Sequence, residues 1–225
     1  MRFIIYLLLS LGLTACVSRY PTLSKPALSP TFYTVPRAKT VALTFDDGPN
    51  PRYTPQILKI LSQNHIHATF FVTANYATQH PNIIQAILAQ GSALGNHTYN
   101  HYDLSTLSRK QLQHEIYQSS RELAHVCGFI PRCFRPPYLV SNAKIKALVK
   151  RNYLILLNGQ SSDDYLRLGA KQLTRRVLSH SRARHVLIFH DGPRQREQTV
   201  SALPAIIHGL RAKGLGFSTI CQQHA

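Results

Sequence analysis

Acidic residues are scarce in this chain, and tryptophan is missing altogether. Nine aspartates and glutamates stand against 26 lysines and arginines, for a formal net charge of +17. So basic a chain disfavours cationic partners and favours anionic ones such as lipid head groups, acidic glycans or cell-wall polymers. Nucleic acid is the usual alternative, but the basic residues are scattered rather than gathered in a stripe, which makes it a minor reading. The apolar run from Phe3 to Leu13 falls short of the roughly 20 residues that a membrane-crossing helix needs. No CxxC or other cysteine-rich spacing occurs among the four cysteines, which removes the usual thiolate metal sites. Internal repeats and low-complexity tracts are absent from residue 39 onward. What is present is a hydrophobic content of 44% over 225 residues, enough for one globular domain with a substantial core and too little for two.

The N-terminus has its own organisation. Arg2 precedes the short apolar run, as in a signal peptide. The following "LTAC", Leu13 to Cys16, resembles the bacterial lipobox, in which the cysteine receives a lipid before cleavage. The expectation is therefore a lipoprotein-type signal over 1–15 with Cys16 as the lipidated residue; the alternative is an ordinary secretory signal cleaved near Ala15. Residues 16–38 carry Pro21, Pro26, Pro30 and Pro36 and read as an extended tether. The folded domain is expected over 39–225, at a bacterial envelope, lipid-anchored and facing the periplasm or exterior. Export permits disulfides. Cys127 and Cys133 bracket a short "GFIPR" turn, and both a bridge between them and free thiols remain open.

From Lys39, strand-like and helix-like runs alternate. "TVALTF", "ATFFV", "SALGNH", "RCFRPPY", "YLILLN", "HVLIFH" and "GFSTI" read as strands or strand ends. Helices are expected in "TPQILKILSQN", "PNIIQAILAQ", "SRKQLQHEIYQSSRELAHVCG", "NAKIKALVKR", "AKQLTRRVLSH" and "VSALPAIIHGLRAKG". Ser108 is placed to cap the third helix and Gly128 to stop it. Such β-α alternation predicts an α/β fold, a parallel sheet covered by helices, open or closed as a barrel. Sites in these folds lie at the C-terminal strand ends. There the sequence places "DD", "GNHTYNH", "RPPY", "SSDDY" and "HDGP".

The pair Asp46-Asp47 needs explaining, since adjacent like charges raise each other's cost of ionisation. His97 and His101 of "HTYNH" supply part of an answer: on a helical turn, i and i+4 share a face and can grip one metal ion. Joined to a carboxylate from another strand end they make a two-histidine, one-carboxylate site. One aspartate then stays ionised as a ligand while its neighbour serves as a base.

"TFDDGP", "HTYNH", "FRPPY" and "LIFHDGP", in this order and spacing, resemble the polysaccharide deacetylases of the NodB-homology group, carbohydrate esterase family 4, over about residues 39 to 221. The resemblance implies a single-domain, distorted (β/α) barrel. It also implies a metal-dependent hydrolase that acts on carbon–nitrogen bonds other than peptides, removing N-acetyl groups from an amino-sugar polymer such as peptidoglycan or poly-N-acetylglucosamine. Position by position, Asp46 becomes the general base, with Arg135 to keep it ionised. Asp47, His97 and His101 become the ligands of a divalent metal, with zinc favoured and cobalt, nickel or manganese able to bind. The backbone N–H of Tyr138 faces the oxyanion, and His190 protonates the departing amine. Tyr165 and Asp164 fall in the substrate pocket, Tyr165 replacing the family's tryptophan.

Two positions depart from the family pattern. Leu139 stands where glycine is usual, and Ser161 where the pattern has an acid expected to tune the catalytic histidine; without it His190 should lose its proton at lower pH. The remaining histidines read as structural or surface residues. An O-acetyl esterase on the same scaffold and a low-activity glycan- or wall-binding module are the competing functions.

The N-terminal reading generates one test. Cys16→Ser should shift the protein from the membrane to the soluble envelope fraction. Unchanged fractionation that high salt then reverses would instead assign attachment to the basic surface.

Overall fold

The computed structural model describes residues 35–152 and 154–221. The signal segment, Cys16 and nearly all of the 16–38 tether lie outside these residues. Within them no helix is long and apolar enough to cross a membrane.

Eight parallel strands form one curled sheet: β1 (Thr40–Asp46), β2 (Thr69–Val72), β3 (Ala93–Asn96), β4 (Cys133–Phe134), β5 (Ile155–Leu156), β6 (Gln160–Ser161), β7 (Val186–His190) and β8 (Gly216–Phe217). The order is β5-β4-β3-β2-β1-β7-β6, with β8 added to the start of β1. The helices are α1 (Thr54–Gln63), α2 (Ala74–Gln79), α3 (Pro81–Ala89), α4 (Arg109–Gln113), α5 (Ser119–Cys127), α6 (Ala143–Arg151), α7 (Ala170–His180) and α8 (Glu197–Ala212). The parallel, curled sheet with its covering helices is the half-open barrel that the alternation allowed.

β1 is buried at every position from Val41 to Asp46, because both faces of a parallel sheet are covered; hence a continuous apolar run in place of alternation. Phe45 stacks on Phe70 of β2 at 5.2 Å and meets Phe189 of β7 at 5.8 Å, which locks the three central strands. Register then places the chemistry. Asp46 pairs with His190 across β1 and β7, and Asn96 of β3 with Phe134 of β4, so the residues just past these positions share one rim.

The expected long third helix is present in three pieces. Ser108 and Gln111 close a capping box at its start, and Gly128 ends it at φ +82°. Between α4 and α5, His114–Gln118 is a π-helical turn. Two elements were not expected: α2, cut from α3 by Pro81 and burying only two alanines, and the two-residue β6.

The disulfide joins Cys133 to Cys221, not Cys127 to Cys133. Cys127 ends α5, where its thiol donates to the carbonyls of Leu123 and Phe129, and burial pushes its pKa up to about 11. Cys133 instead sits in a separate cluster with Ala42, Phe71 and Ile220. The bridge spans 88 residues and ties the chain's end to β4, a cross-link worth about 2–4 kcal/mol.

Candidate metal centre

Asp46 and Asp47 leave β1 in opposite directions. Asp46 keeps strand geometry, and its Oδ1 lies 2.6 Å from Nη1 of Arg135. That arginine is fully buried, donates also to Thr44 Oγ1 at 2.8 Å and lies over the Phe71 ring at 3.9 Å. Asp47 takes φ +74°, a left-handed turn that swings its carboxylate away from its neighbour toward His97 and His101. Glycine is required close by: a Cβ on Gly192 would stand 2.2 Å from Cβ of Asp47, and one on Gly48 would stand 2.4 Å from Asp191 Oδ1.

Asp47 Oδ1 lies 3.3 Å from His97 Nε2 and 2.9 Å from His101 Nε2, and the three donor atoms lie within 4.8 Å of one another. His97 Nδ1 is 2.7 Å from the carbonyl of Arg135. A carbonyl only accepts, so Nδ1 carries the hydrogen and Nε2 is the nitrogen that faces the carboxylate oxygen. Two ring nitrogens and a carboxylate oxygen this close share positive charge, as a ring proton or as a bound cation. Asp47 Oδ1 is buried and receives no hydrogen bond, so the residues fit a divalent cation. Burial raises the Asp47 pKa, but the imidazoles of His101 and His97 outweigh it and hold the carboxyl well below its ordinary value.

The histidine segment is not a helical turn. Thr98 and His101 sit at φ +72° and +65°. Side-chain acceptors impose this path, two of them local and one, Glu115, from another element. Asn96 Oδ1 accepts the Thr98 N–H at 2.8 Å, and Thr98 Oγ1 accepts the His101 N–H at 3.1 Å. Glu115, buried on the π-helical turn, accepts the N–H groups of Tyr99 (3.1 Å) and Asn100 (2.8 Å) and the Asn100 side-chain amide (2.9 Å). Side-chain acceptors, of which Glu115 alone is distant in sequence, thus replace helical hydrogen bonds. Glu115 was missed in the sequence, although an acid three residues after Leu112 and next to Ile116, on a buried stripe, was a signal.

His190 ends β7 across the rim. Its Nδ1 is 2.6 Å from Asp164 Oδ1, and its backbone N–H donates to Oδ2 at 2.9 Å. The family pattern pointed to residue 161 for this contact and put Asp164 in the pocket. The geometry reverses that: Asp164 is 1% exposed and stands behind the histidine, while Ser161 Oγ accepts the Asp163 N–H. Asp163 turns at φ +61° and pairs with Arg176, so the chain returns Asp164 to His190. Burial lowers the His190 pKa, but Asp164, then Asp47 and Asp46, raise it from 6.5 to about 9. Ser161 therefore marks no loss of support for the histidine.

The Tyr165 ring lies edge-on to His190 at 6.1 Å, open to solvent. Tyr138 lies edge-on to His101 at 5.1 Å. In its turn the Leu139 and Val140 N–H groups bond back to the carbonyls of Pro136 and Pro137. Asp191 is fully buried, its Oδ2 accepting from Thr54 at 2.5 Å; burial, opposed by Thr54, raises its pKa to about 7.

A family model described as polysaccharide deacetylase matches residues 34–154. A peptidoglycan-N-acetylglucosamine deacetylase of Bacillus cereus is 35% identical over 183 residues, which is 80% of this chain and 66% of that relative, just under two thirds of its length. A chitooligosaccharide deacetylase of Sinorhizobium fredii is 32% identical over 207 residues, 85% of this chain and 96% of that protein. The crystal structure of a peptidoglycan N-acetylglucosamine deacetylase superposes with a TM-score of 0.77 at 33% identity, covering 84% of this chain and 89% of the other.

Glu115→Ala leaves two backbone donors and an amide without their acceptor. It should destabilise the fold by about 2–3 kcal/mol in denaturant melts and weaken binding of added zinc. Unchanged zinc affinity would show that the histidine loop holds itself.

Proposed function

The chain belongs to the polysaccharide deacetylase family, and from that premise we propose that it is a metal-dependent hydrolase removing N-acetyl groups from an amino-sugar polymer. Peptidoglycan and poly-N-acetylglucosamine are the favoured classes, since relatives are named for peptidoglycan and chitooligosaccharide deacetylation. The N-terminal segment supports attachment at a bacterial envelope through a lipid on Cys16. The observation that carries the reading is the buried Asp47 Oδ1, facing two imidazole nitrogens without a hydrogen bond.

A divalent metal held by Asp47, His97 and His101, zinc being well suited to that donor set, would supply positive charge that polarises a carbonyl and lowers the pKa of a nearby water. The chain's own groups do the rest. Asp46, held by its ion pair with Arg135, accepts the proton of the attacking water. The Tyr138 N–H, not consumed by its turn, donates to the negative charge growing on the acyl oxygen. His190, with Nδ1 held by Asp164, presents Nε2 and its proton to the departing amine, which leaves poorly unless protonated. Tyr165 walls the space for the acetyl methyl. A pure binding module would not need the base and the acid to converge on one rim, as Asp46 and His190 do.

Acetate release from N-acetylated and O-acetylated glycans, with and without chelator, tests the activity and separates the esterase. Asp46→Asn should retain metal and lose at least about 100-fold in turnover, whereas Asp47→Asn should lose the metal itself. Equal metal loss in both would refute this division of roles.

The acid role has a pH signature. Protonated His190 predominates below its raised pKa of about 9, so activity should fall on the alkaline side as pH rises through that value. Asp164→Asn removes the main raising influence, and the alkaline limb should move toward the ordinary 6.5. A limb that stays in place would exclude His190 as the acid.

A further inference from the structure

Arg196 immediately precedes α8, three residues past the "LIFHDGP" motif and outside every motif that marks the site. It is 3% exposed, and its Nη2 donates to Asp47 Oδ2 at 3.1 Å. Its Nε is buried without a hydrogen-bond partner, so Nη2 anchors it on Asp47, while its charge also acts on the buried Asp191. The next residue is pinned in place: Glu197 accepts from the Tyr53 hydroxyl at 2.7 Å and pairs with Arg52 at 2.9 Å. Three residues on, Thr199 reaches the other side of the site, donating to Asp164 Oδ2 at 2.7 Å.

We propose that Arg196 is a positioning residue for the metal centre, holding Oδ2 of Asp47 so that Oδ1 alone faces His97 and His101. The proposal rests on the reading of those three residues as ligands. A carboxylate can offer a cation one oxygen or both, and free rotation about its last bond lets it exchange them. A guanidinium on one oxygen removes that choice, since the second oxygen cannot serve both partners. The opposing effect is repulsion between guanidinium and metal. Orientation outweighs it, because losing the arginine frees the carboxylate to rotate. Partners that orient ligands in this way are worth about 10–100-fold in metal affinity.

The test uses cobalt(II), whose visible d–d bands report coordination, added to the full chain with a competing chelator. Arg196→Met should weaken cobalt binding about tenfold or more and change the d–d spectrum. Arg196→Lys, able to donate one hydrogen bond, should recover part of both. Thr199→Val removes a hydrogen bond from the same helical turn without touching Asp47, and should bind cobalt as the unaltered chain does. If Arg196→Met does not fold, Arg196→Lys decides: a changed d–d band in a folded protein supports the role and an unchanged band overturns it. Unchanged affinity and spectrum in Arg196→Met would overturn it, as would tighter binding, which assigns the arginine a charge effect alone. Equal weakening by Thr199→Val would assign the effect to packing of the turn. Failure of the unaltered chain to bind cobalt would refute the ligand reading itself, and the positioning role with it.

Discussion

The β1–β3 side of the rim depends on the buried guanidinium and backbone of Arg135. The side chain reaches Asp46 and Thr44 on β1 and lies over Phe71 on β2. Its N–H donates to the carbonyl of Asn96 at 3.0 Å, and its own carbonyl holds Nδ1 of His97. One residue thus pairs with the proposed base and sets which nitrogen of a proposed ligand faces Asp47. Burial lowers the arginine's pKa, opposed by Asp46, and two of its nitrogens lack hydrogen bonds. Such an ion pair is poor stabilisation compared with an apolar core, yet breaking one side of it costs about 3–5 kcal/mol. The arrangement makes sense as orientation rather than as stability.

The same logic resolves the crowding of negative charge in a chain with few acids. Asp46, Asp47 and Asp191 gather at the ends of two adjacent strands, and each is treated differently. Asp46 has Arg135, while Asp47 has two imidazoles and Arg196. Asp191 has the Thr54 hydroxyl and the charge of Arg196 in its favour, yet burial leaves its pKa at about 7. Separation of the first two relies on backbone: φ +74° at Asp47 turns adjacent residues to opposite sides, and Gly192 leaves room for the turn.

Legibility in the sequence followed the range of the interactions. The β-α alternation was readable because each long strand is apolar throughout and each long helix has an apolar stripe, both local patterns. β5, β6 and β8 have two residues each and owe their existence to neighbours. Asp46, Asp47, His97, His101, Arg135 and His190 were marked by motifs, and the structure brings them to one rim. Their detailed setting was not readable. The helical turn expected of "HTYNH" yields to acceptors on Asn96 and Glu115. The contact of Asp47 with Arg196 spans 149 residues, beyond any local pattern. The displacement from Ser161 to Asp164 depends on one left-handed residue, Asp163, for which spacing alone offers no sign.

That dependence on backbone path bears on the departure at Leu139. A glycine there would accept a left-handed conformation without cost, and its loss raised doubt about the turn beside the proposed oxyanion donor. Tyr138 and Leu139 nevertheless both sit at φ +56°, a conformation that costs non-glycine residues about 1–3 kcal/mol. The two preceding prolines fix the approach, and the carbonyls of Pro136 and Pro137 hold the Leu139 and Val140 amides at 3.1 and 3.2 Å. The turn is therefore over-determined by its surroundings and survives the substitution. What changes is the surface: the leucine adds an exposed apolar side chain next to the solvent-facing Tyr138 ring. The departure thus changes the exposed surface beside Tyr138, while the prolines and their carbonyls hold the turn.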